Sequence, residues 1–311
     1  MEAKKYYKDS IRIINNLLKK QENVSMKKTV AVGYINMASL YFRENNMRRA
    51  RKWYFRAIDA IKWIENMEPS LENKEALARA YNNVADLFAD ELINDRQKAE
   101  EFYLMAVSIY ESILKIKPII SVKKNLATTY DNIGNLYSNW KEDEAYSYYL
   151  KAIEIKEEVL GTSASKEEII DLATSYNNLG FLYADNNKNC AISYYEKAIK
   201  ILNILDNRKE DKRYWENLGV CYTNLADLYY KKSENEKSKE YYKKAIEIYE
   251  SLIERYQDDD IIEKLLIIYN NIACYMTDTD LGLIEIEKEY LKVIDLIKIT
   301  KDPYSKRKKQ P

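Results

Sequence analysis

No histidine occurs among the 311 residues. Imidazole general bases, Ser-His and Cys-His nucleophiles and His-ligated metals are excluded with it. Glycine and proline are nearly as scarce, six and four residues, where average usage gives roughly one residue in eight. A strand-rich chain needs far more turn formers than that, so the sequence reads as all-helical. The glycines, at 33, 134, 161, 180, 219 and 282, never come close enough together for GxG, GxSxG or a phosphate-cradling loop. No cofactor has a fingerprint here. Cys190, Cys221 and Cys274 are odd in number and far apart, which fits reduced, buried thiols better than a disulfide framework or a metal site. Charge of either sign is not in excess, 50 basic side chains against 50 acidic. No global positive field is then available to neutralise a phosphate backbone, and nucleic acid is not expected as a partner. Long apolar runs are missing as well. The most apolar stretch, 261–268, is broken by Glu263 and Lys264, and the opening MEAKKYYKDS is too charged for a signal peptide. The expectation is a soluble cytoplasmic protein, without a membrane anchor, metal or catalytic residues.

What is abundant is tyrosine, 29 residues, and much of it is periodic. Six segments align, GYINMASLYF, AYNNVADLF, TYDNIGNLY, SYNNLGFLY, CYTNLADLY and IYNNIACYM, each opening on a tyrosine: Tyr34, Tyr81, Tyr130, Tyr176, Tyr222 and Tyr269. The spacings are 47, 49, 46, 46 and 47 residues. A second apolar helix follows each segment, with an aromatic three residues before a small or apolar one: Tyr54 and Ala57, Tyr103 and Ala106, Tyr149 and Ala152, Tyr195 and Ala198, Tyr242 and Ala245, Tyr290 and Val293. A small residue there lets two helices approach closely, and tyrosines at i and i+7 of the first helix fill the groove beside it. Each of the first five alanines lies 24 residues before the next opening tyrosine. Counted back from Tyr34, the same step lands on Ser10, inside YYKDSIRIINNLL, which matches the second-helix pattern. The chain therefore starts on half a repeat, and the count is thirteen helices: one cap and six pairs.

Breakers and caps divide the chain the same way. Pro69, Pro118 and Gly161 stop second helices, and Ser70, Ser121, Ser165 with Glu168, and Asp260 with Glu263 are expected to cap the first helices that follow. These place a capping helix over 1–24, repeats starting near 25, 70, 121, 165, 207 and 260, a single array over 1–299 and a basic flexible tail over 300–311.

The pattern of Tyr176, Leu179, Gly180, Tyr183, Ala191, Tyr195 and Ala198, matched with small departures in the other copies, resembles the tetratricopeptide repeat (TPR). The resemblance covers almost the whole chain, with a period about 12 to 15 residues longer than the usual 34. Long-helix repeats of this kind are similar to those of kinesin light chains and of bacterial signalling and defence proteins. The resemblance implies a right-handed α-solenoid whose concave face is lined by first helices. It further implies a non-catalytic scaffold that binds a peptide or protein segment in that groove, as an adaptor or sensory subunit of a bacterial signalling or defence complex. An intracellular peptide-pheromone receptor lacking its own effector domain is the alternative.

Two residues after every opening tyrosine stands an asparagine: Asn36, Asn83, Asn132, Asn178, Asn224 and Asn271. Asparagine inside a helix costs roughly 0.5–0.7 kcal/mol against alanine, so the repetition needs a reason. In the TPR pattern the position faces the groove. A row of carboxamides there can pair with the backbone of an extended peptide, or can tie neighbouring helices together. Flanking positions on that face include Asp86, Asn135, Phe181, Asp185 and Asp227, with Asp131 beside them, so acid outweighs base and a partner with Lys or Arg is expected. At the other end, Leu291, Val293, Ile294, Leu296 and Ile297 of the last helix cannot all face their own repeat, which suggests an end interface through Leu291, Ile294 and Ile297, to a second copy or a dedicated partner. The first helix is expected to cap better, because Lys8, Asp9, Arg12, Asn15 and Asn16 can make its outer face polar.

Overall fold

Two of the prolines act as the sequence demands. Helix α3 (Met47–Met67) ends one residue short of the Glu68-Pro69 pair and α5 (Arg96–Ile116) one residue short of Lys117-Pro118, because the residue before proline is pushed out of the helical region. The computed structural model describes residues 2–162, 165–205, 211–256, 258–276, 288 and 291. Among them lie twelve α-helices and no strand. The others are α1 (Glu2–Leu18), α2 (Val24–Arg43), α4 (Leu71–Ala89), α6 (Ile120–Tyr137), α7 (Glu142–Thr162), α8 (Lys166–Tyr183), α9 (Lys188–Leu202), α10 (Lys212–Lys231), α11 (Asn235–Tyr256) and α12 (Asp259–Met276). The chain divides into two compact units, Met1–Ser163 with α1 to α7 and Ala164–Pro311 with α8 to α12. Each unit is a short all-α solenoid of antiparallel pairs: α2/α3, α4/α5 and α6/α7 in one, α8/α9 and α10/α11 in the other. The thirteenth helix expected from the sequence lies outside the described residues except for Lys288 and Leu291.

Of the four expected caps, two are found and two are corrected. The Ser70 hydroxyl accepts the Asn73 backbone N–H at 3.1 Å. Ser165 and Glu168 form the full capping box, each side chain accepting the other's backbone N–H. Ser121 is no cap, since α6 already starts at Ile120 behind Ile119, which offers no side-chain acceptor. Asp260 is likewise inside the first turn, and Asp258 takes its backbone N–H at 3.0 Å. Gly161 sits within the last turn of α7 rather than beyond it. The boundary near 207 falls outside the described residues, and α10 itself is capped by Asp211.

The scarcity of glycine has a structural answer in the turns within pairs. After α2, Asn45 takes φ 56°, Asn46 N–H reaches back to the Tyr41 carbonyl at 2.8 Å, and Asn45 N–H reaches Phe42 at 2.9 Å. Ser233 does the same after α10 at φ 61°, with Glu234 N–H to Tyr229 and Ser233 N–H to Tyr230. This is the Schellman stop usually built on glycine. Asn46 goes on to cap α3, so one residue serves two helices.

Packing within pairs follows the repeated small residues. Ala57, Ala106, Ala152, Ala198 and Ala245 are all fully buried. On the facing helix, a Cβ on Gly134 would stand 2.6 Å from the Tyr149 ring, and one on Gly180 would stand 2.6 Å from Tyr195. The opening tyrosine and the residue seven further on clamp a second-helix aromatic between them. Phe102 lies 5.9 Å from Tyr81 and 5.8 Å from Phe88, Tyr148 lies 5.7 Å from both Tyr130 and Tyr137, and Tyr241 lies 6.0 Å from Tyr222 and 5.4 Å from Tyr229. Lysines cover several of these stacks, Lys151 at 5.0 Å from Tyr148 and Lys244 at 4.8 Å from Tyr241, adding cation–π attraction to area burial.

Candidate functional site

A buried tyrosine hydroxyl needs a partner, because leaving it unpaired costs on the order of 1–3 kcal/mol. In four pairs the partner is the residue five after the opening tyrosine: Ser39 for Tyr54 at 3.3 Å, Asp86 for Tyr103 at 2.7 Å, Asn135 for Tyr149 at 2.6 Å, and Asp227 for Tyr242. Two asparagines of the ladder use the same acceptors. The Asn132 amide donates to Asp86 Oδ1 at 3.0 Å, and the Asn271 amide to Asp227 Oδ1 at 3.2 Å. Each of these carboxylates therefore joins three helices. Asn82, beside the ladder, donates to Asp86 Oδ2 at 3.2 Å and accepts the Thr129 hydroxyl at 3.0 Å. In the second unit Asn224 donates to Asn177 Oδ1 at 3.0 Å. Burial pushes the Asp86 carboxyl up to about 6, against the pull of its hydrogen bonds from Tyr103 and Asn132. Burial raises Asp227 in the same sense.

The acid-lined groove expected from the sequence is not what these aspartates form. Asp86 and Asp227 are tied into the fold as described. Asp131 is buried in an ion pair with Lys156 at 2.5 Å. Asp185 is open to solvent, but Lys231 holds it at 2.7 Å and keeps its carboxyl below the usual range. Phe181 departs from the series. It occupies the tyrosine-binding position of its repeat and is 63% exposed. Asn36 and Asn178 are half-buried. Leu291 is exposed, while Ile294 and Ile297 lie outside the described residues. Cys221 is buried, and its thiol is pushed up to about 12 by that burial, as expected of an inert core cysteine.

A cleft of about 460 Å³ lies in the first unit, on the first helices α2, α4 and α6. Its apolar lining comes from Val32, Ile35, Ile61 and Ile64 with Tyr110. Asn83 of the ladder lines it too, and Asn82, Asn125 and Thr128 add amides and a hydroxyl to the lining. Charge there is mixed. Lys28 contacts Glu68 at 3.4 Å, Arg79 contacts Glu75 at 3.8 Å, and Glu72 completes the wall. These pairs are long and solvated, worth little either way. The sequence ladder caught Asn83 but missed the rest of the lining. The signal for it was the doubled asparagine of Asn82-Asn83, whose first member turns toward the next repeat. Among the described residues there is no cluster of His, Cys, Asp or Glu able to hold a metal ion, and no helix long and apolar enough to cross a membrane.

Sequence profiles of the tetratricopeptide repeat match residues 126–164 and 215–252. No curated protein sequence matches the chain. Among solved structures, BtubC (BKLC) from P. vanneervenii is similar at a TM-score of 0.63 and 21% identity, over 81% of this chain and 91% of its own. The S. pombe nuclear import adaptor Nro1 is similar at 0.58 and 14% identity, over 88% and 94%. A putative kinesin light chain of Podosopora anserina, with nearly identical TPR-like repeats, is similar at 0.50 and 15% identity, over 76% and 100%. Each likeness is one of fold.

Proposed function

We infer, from a chain built of tetratricopeptide repeats, that it is a protein-interaction scaffold and that the cleft on α2, α4 and α6 holds an extended segment of its partner. The observation that carries this reading is a single lining that combines apolar side chains with amides. An apolar side chain of the segment enters among Val32, Ile35, Ile61 and Ile64, while Asn83 and Asn125 meet its main chain, which lets the site tolerate varied sequences. The mixed charge of the lining favours an apolar anchor over a basic one. Nothing in this reading asks for catalysis. The similarity to Nro1, described as a nuclear import adaptor, supports an adaptor role in general. The finer assignment, an adaptor or sensory subunit of a bacterial signalling or defence complex, rests on the resemblance of the long repeats. Exposed Leu291 is kept as a candidate end contact.

A displayed peptide library selected on the wild-type chain, with binders re-measured on Val32→Glu, tests the reading. Enriched peptides should share an apolar residue and lose about tenfold or more in affinity, or at least 1.4 kcal/mol. Peptides that bind the variant equally well would place the site elsewhere.

A further inference from the structure

Tyr54, Tyr103, Tyr149 and Tyr242 each give their hydroxyl to the residue five after the opening tyrosine of their own pair, and Tyr195 does not. Its ring is placed like the others. A Cβ on Gly180 would meet the Cε1, Cδ1 and Cζ atoms of Tyr195 at 2.6, 2.8 and 3.0 Å, and one on Gly134 would meet the same atoms of Tyr149 at 2.6, 2.7 and 2.9 Å. So placed, the Tyr149 hydroxyl reaches Asn135, the residue after Gly134, at 2.6 Å. The residue after Gly180 is Phe181, which has no oxygen or nitrogen on its side chain to accept. Tyr195 is 1% exposed, and among the described residues its hydroxyl has no hydrogen-bond partner. The second donor of the node is redirected. Asn132 joins Tyr103 on Asp86 and Asn271 joins Tyr242 on Asp227, but the corresponding Asn224 turns to Asn177 Oδ1 at 3.0 Å.

We propose that Phe181 of α8 and Tyr195 of α9 form a second peptide-binding site, where a main-chain carbonyl of an extended partner segment accepts the Tyr195 hydroxyl and a neighbouring apolar side chain covers Phe181. The site lies in the second unit and does not rest on the cleft of the first. Two observations set the chemistry of its occupant. A buried hydroxyl without an acceptor carries an unrelieved desolvation cost, and Phe181 leaves 63% of its surface open. A ligand with an acceptor beside an apolar group relieves both. The acceptor should be neutral. Burial pushes the Tyr195 phenol up, and Cys221, Asp227 and Asp185 add to it, so the group stays a donor and the same acidic neighbours oppose a carboxylate. Lys231 is already held by Asp185 at 2.7 Å. An uncharged carbonyl next to an apolar side chain is what an extended peptide presents along its length.

The probe is a displayed library of linear peptides selected on the full chain carrying Val32→Glu, which blocks the cleft of the first unit. If that cleft binds nothing, the change at exposed Val32 is silent and this selection is unaffected, so the two readings fail separately. Enriched peptides should carry a large apolar residue with no Asp or Glu beside it. Measured with synthetic copies of those peptides, Tyr195→Phe should lower affinity about tenfold, the worth of one hydrogen bond to a buried donor. Phe181→Asn, which supplies the acceptor that Asn135 supplies in its own pair, should lower it about tenfold or more. Neither change should lower the melting temperature, because the Tyr195 hydroxyl has no internal bond to lose. Tyr149→Phe should lower the melting temperature and leave affinity unchanged. No enrichment, peptides that bind Tyr195→Phe or Phe181→Asn as tightly as the parent, or a melting temperature that falls with Tyr195→Phe would each overturn the proposal.

Discussion

Asn132 and Asp86, 46 residues apart on successive first helices, meet at 3.0 Å, and the same carboxylate oxygen accepts the Tyr103 hydroxyl. The contact recurs between Asn271 and Asp227. A ladder asparagine thus joins its own helix to the preceding pair, which gives these two copies a role inside the fold. Asn83 differs in opening onto the cleft.

The Asp86 network should respond to pH in a sense opposite to an ordinary ion pair. Its carboxyl is raised from 3.8 to about 6 in the folded chain. The stability it contributes is therefore complete below about 4 and is lost as pH rises through 6. The groups around it, Tyr103, Asn132 and Asn82, with the raised Tyr54 and Tyr110 phenols nearby, bring no cation into contact. At pH 7, Asp86→Asn should leave stability unchanged or raise it by up to about 3 kcal/mol, and the advantage should shrink towards pH 4.5. Urea titrations at several pH values measure it. A variant destabilised at pH 7 by the same margin as at pH 4.5 would refute the assignment.

Gly134 and Gly161 should answer alanine in opposite directions. At Gly134 the new Cβ would lie 2.6 Å from the Tyr149 ring, while at Gly161 nothing lies within 4 Å. Overpacking costs about 1–3 kcal/mol, against roughly 1 kcal/mol gained by replacing glycine in a helix. Gly134→Ala should therefore lower the melting temperature and Gly161→Ala should raise it. Differential scanning calorimetry on both variants reads the sign directly.

Lys156→Met should be costly. It would strand the Asp131 carboxylate, which is largely buried beside it, and breaking such a pair costs about 3–5 kcal/mol. Adding Asp131→Leu should restore much of the loss. Chemical denaturation of the single and double variants tests the coupling, which vanishes if the pair is solvated.

Peptide affinity for the cleft should change little between roughly 50 and 300 mM salt, since screening acts on exposed charges over about 8–10 Å and the expected anchor is apolar. A steep fall would reinstate a charged ligand.

The sequence made the repeat legible because packing imposes it. The step of 24 residues from Ala106 to Tyr130 reflects a second helix laid against the next first helix, and Tyr130 does bond back to that helix at Glu111. Ser165 with Glu168 was readable as a cap because both partners are local. Ser121 and Asp260 misled because both helices start earlier, α6 behind Ile119 with no side-chain cap and α12 behind Asp258, whose carboxylate takes the Asp260 backbone N–H. The site was less legible. Asp86, Asp131 and Asp227 share a composition with an acidic groove, but their partners Tyr103, Lys156 and Tyr242 lie on other helices, beyond the reach of any one-helix pattern.

The most direct test of the account compares Asn83→Ala with Asn132→Ala in two readouts, unfolding free energy and affinity for a peptide selected on the wild-type cleft. Asn132→Ala should cost about 1.5–3 kcal/mol of stability, the worth of a hydrogen bond to a charged group, and leave affinity nearly unchanged. Asn83→Ala should do the reverse, weakening the peptide with little change in stability. Equal losses of affinity with no loss of stability in either variant would contradict the account.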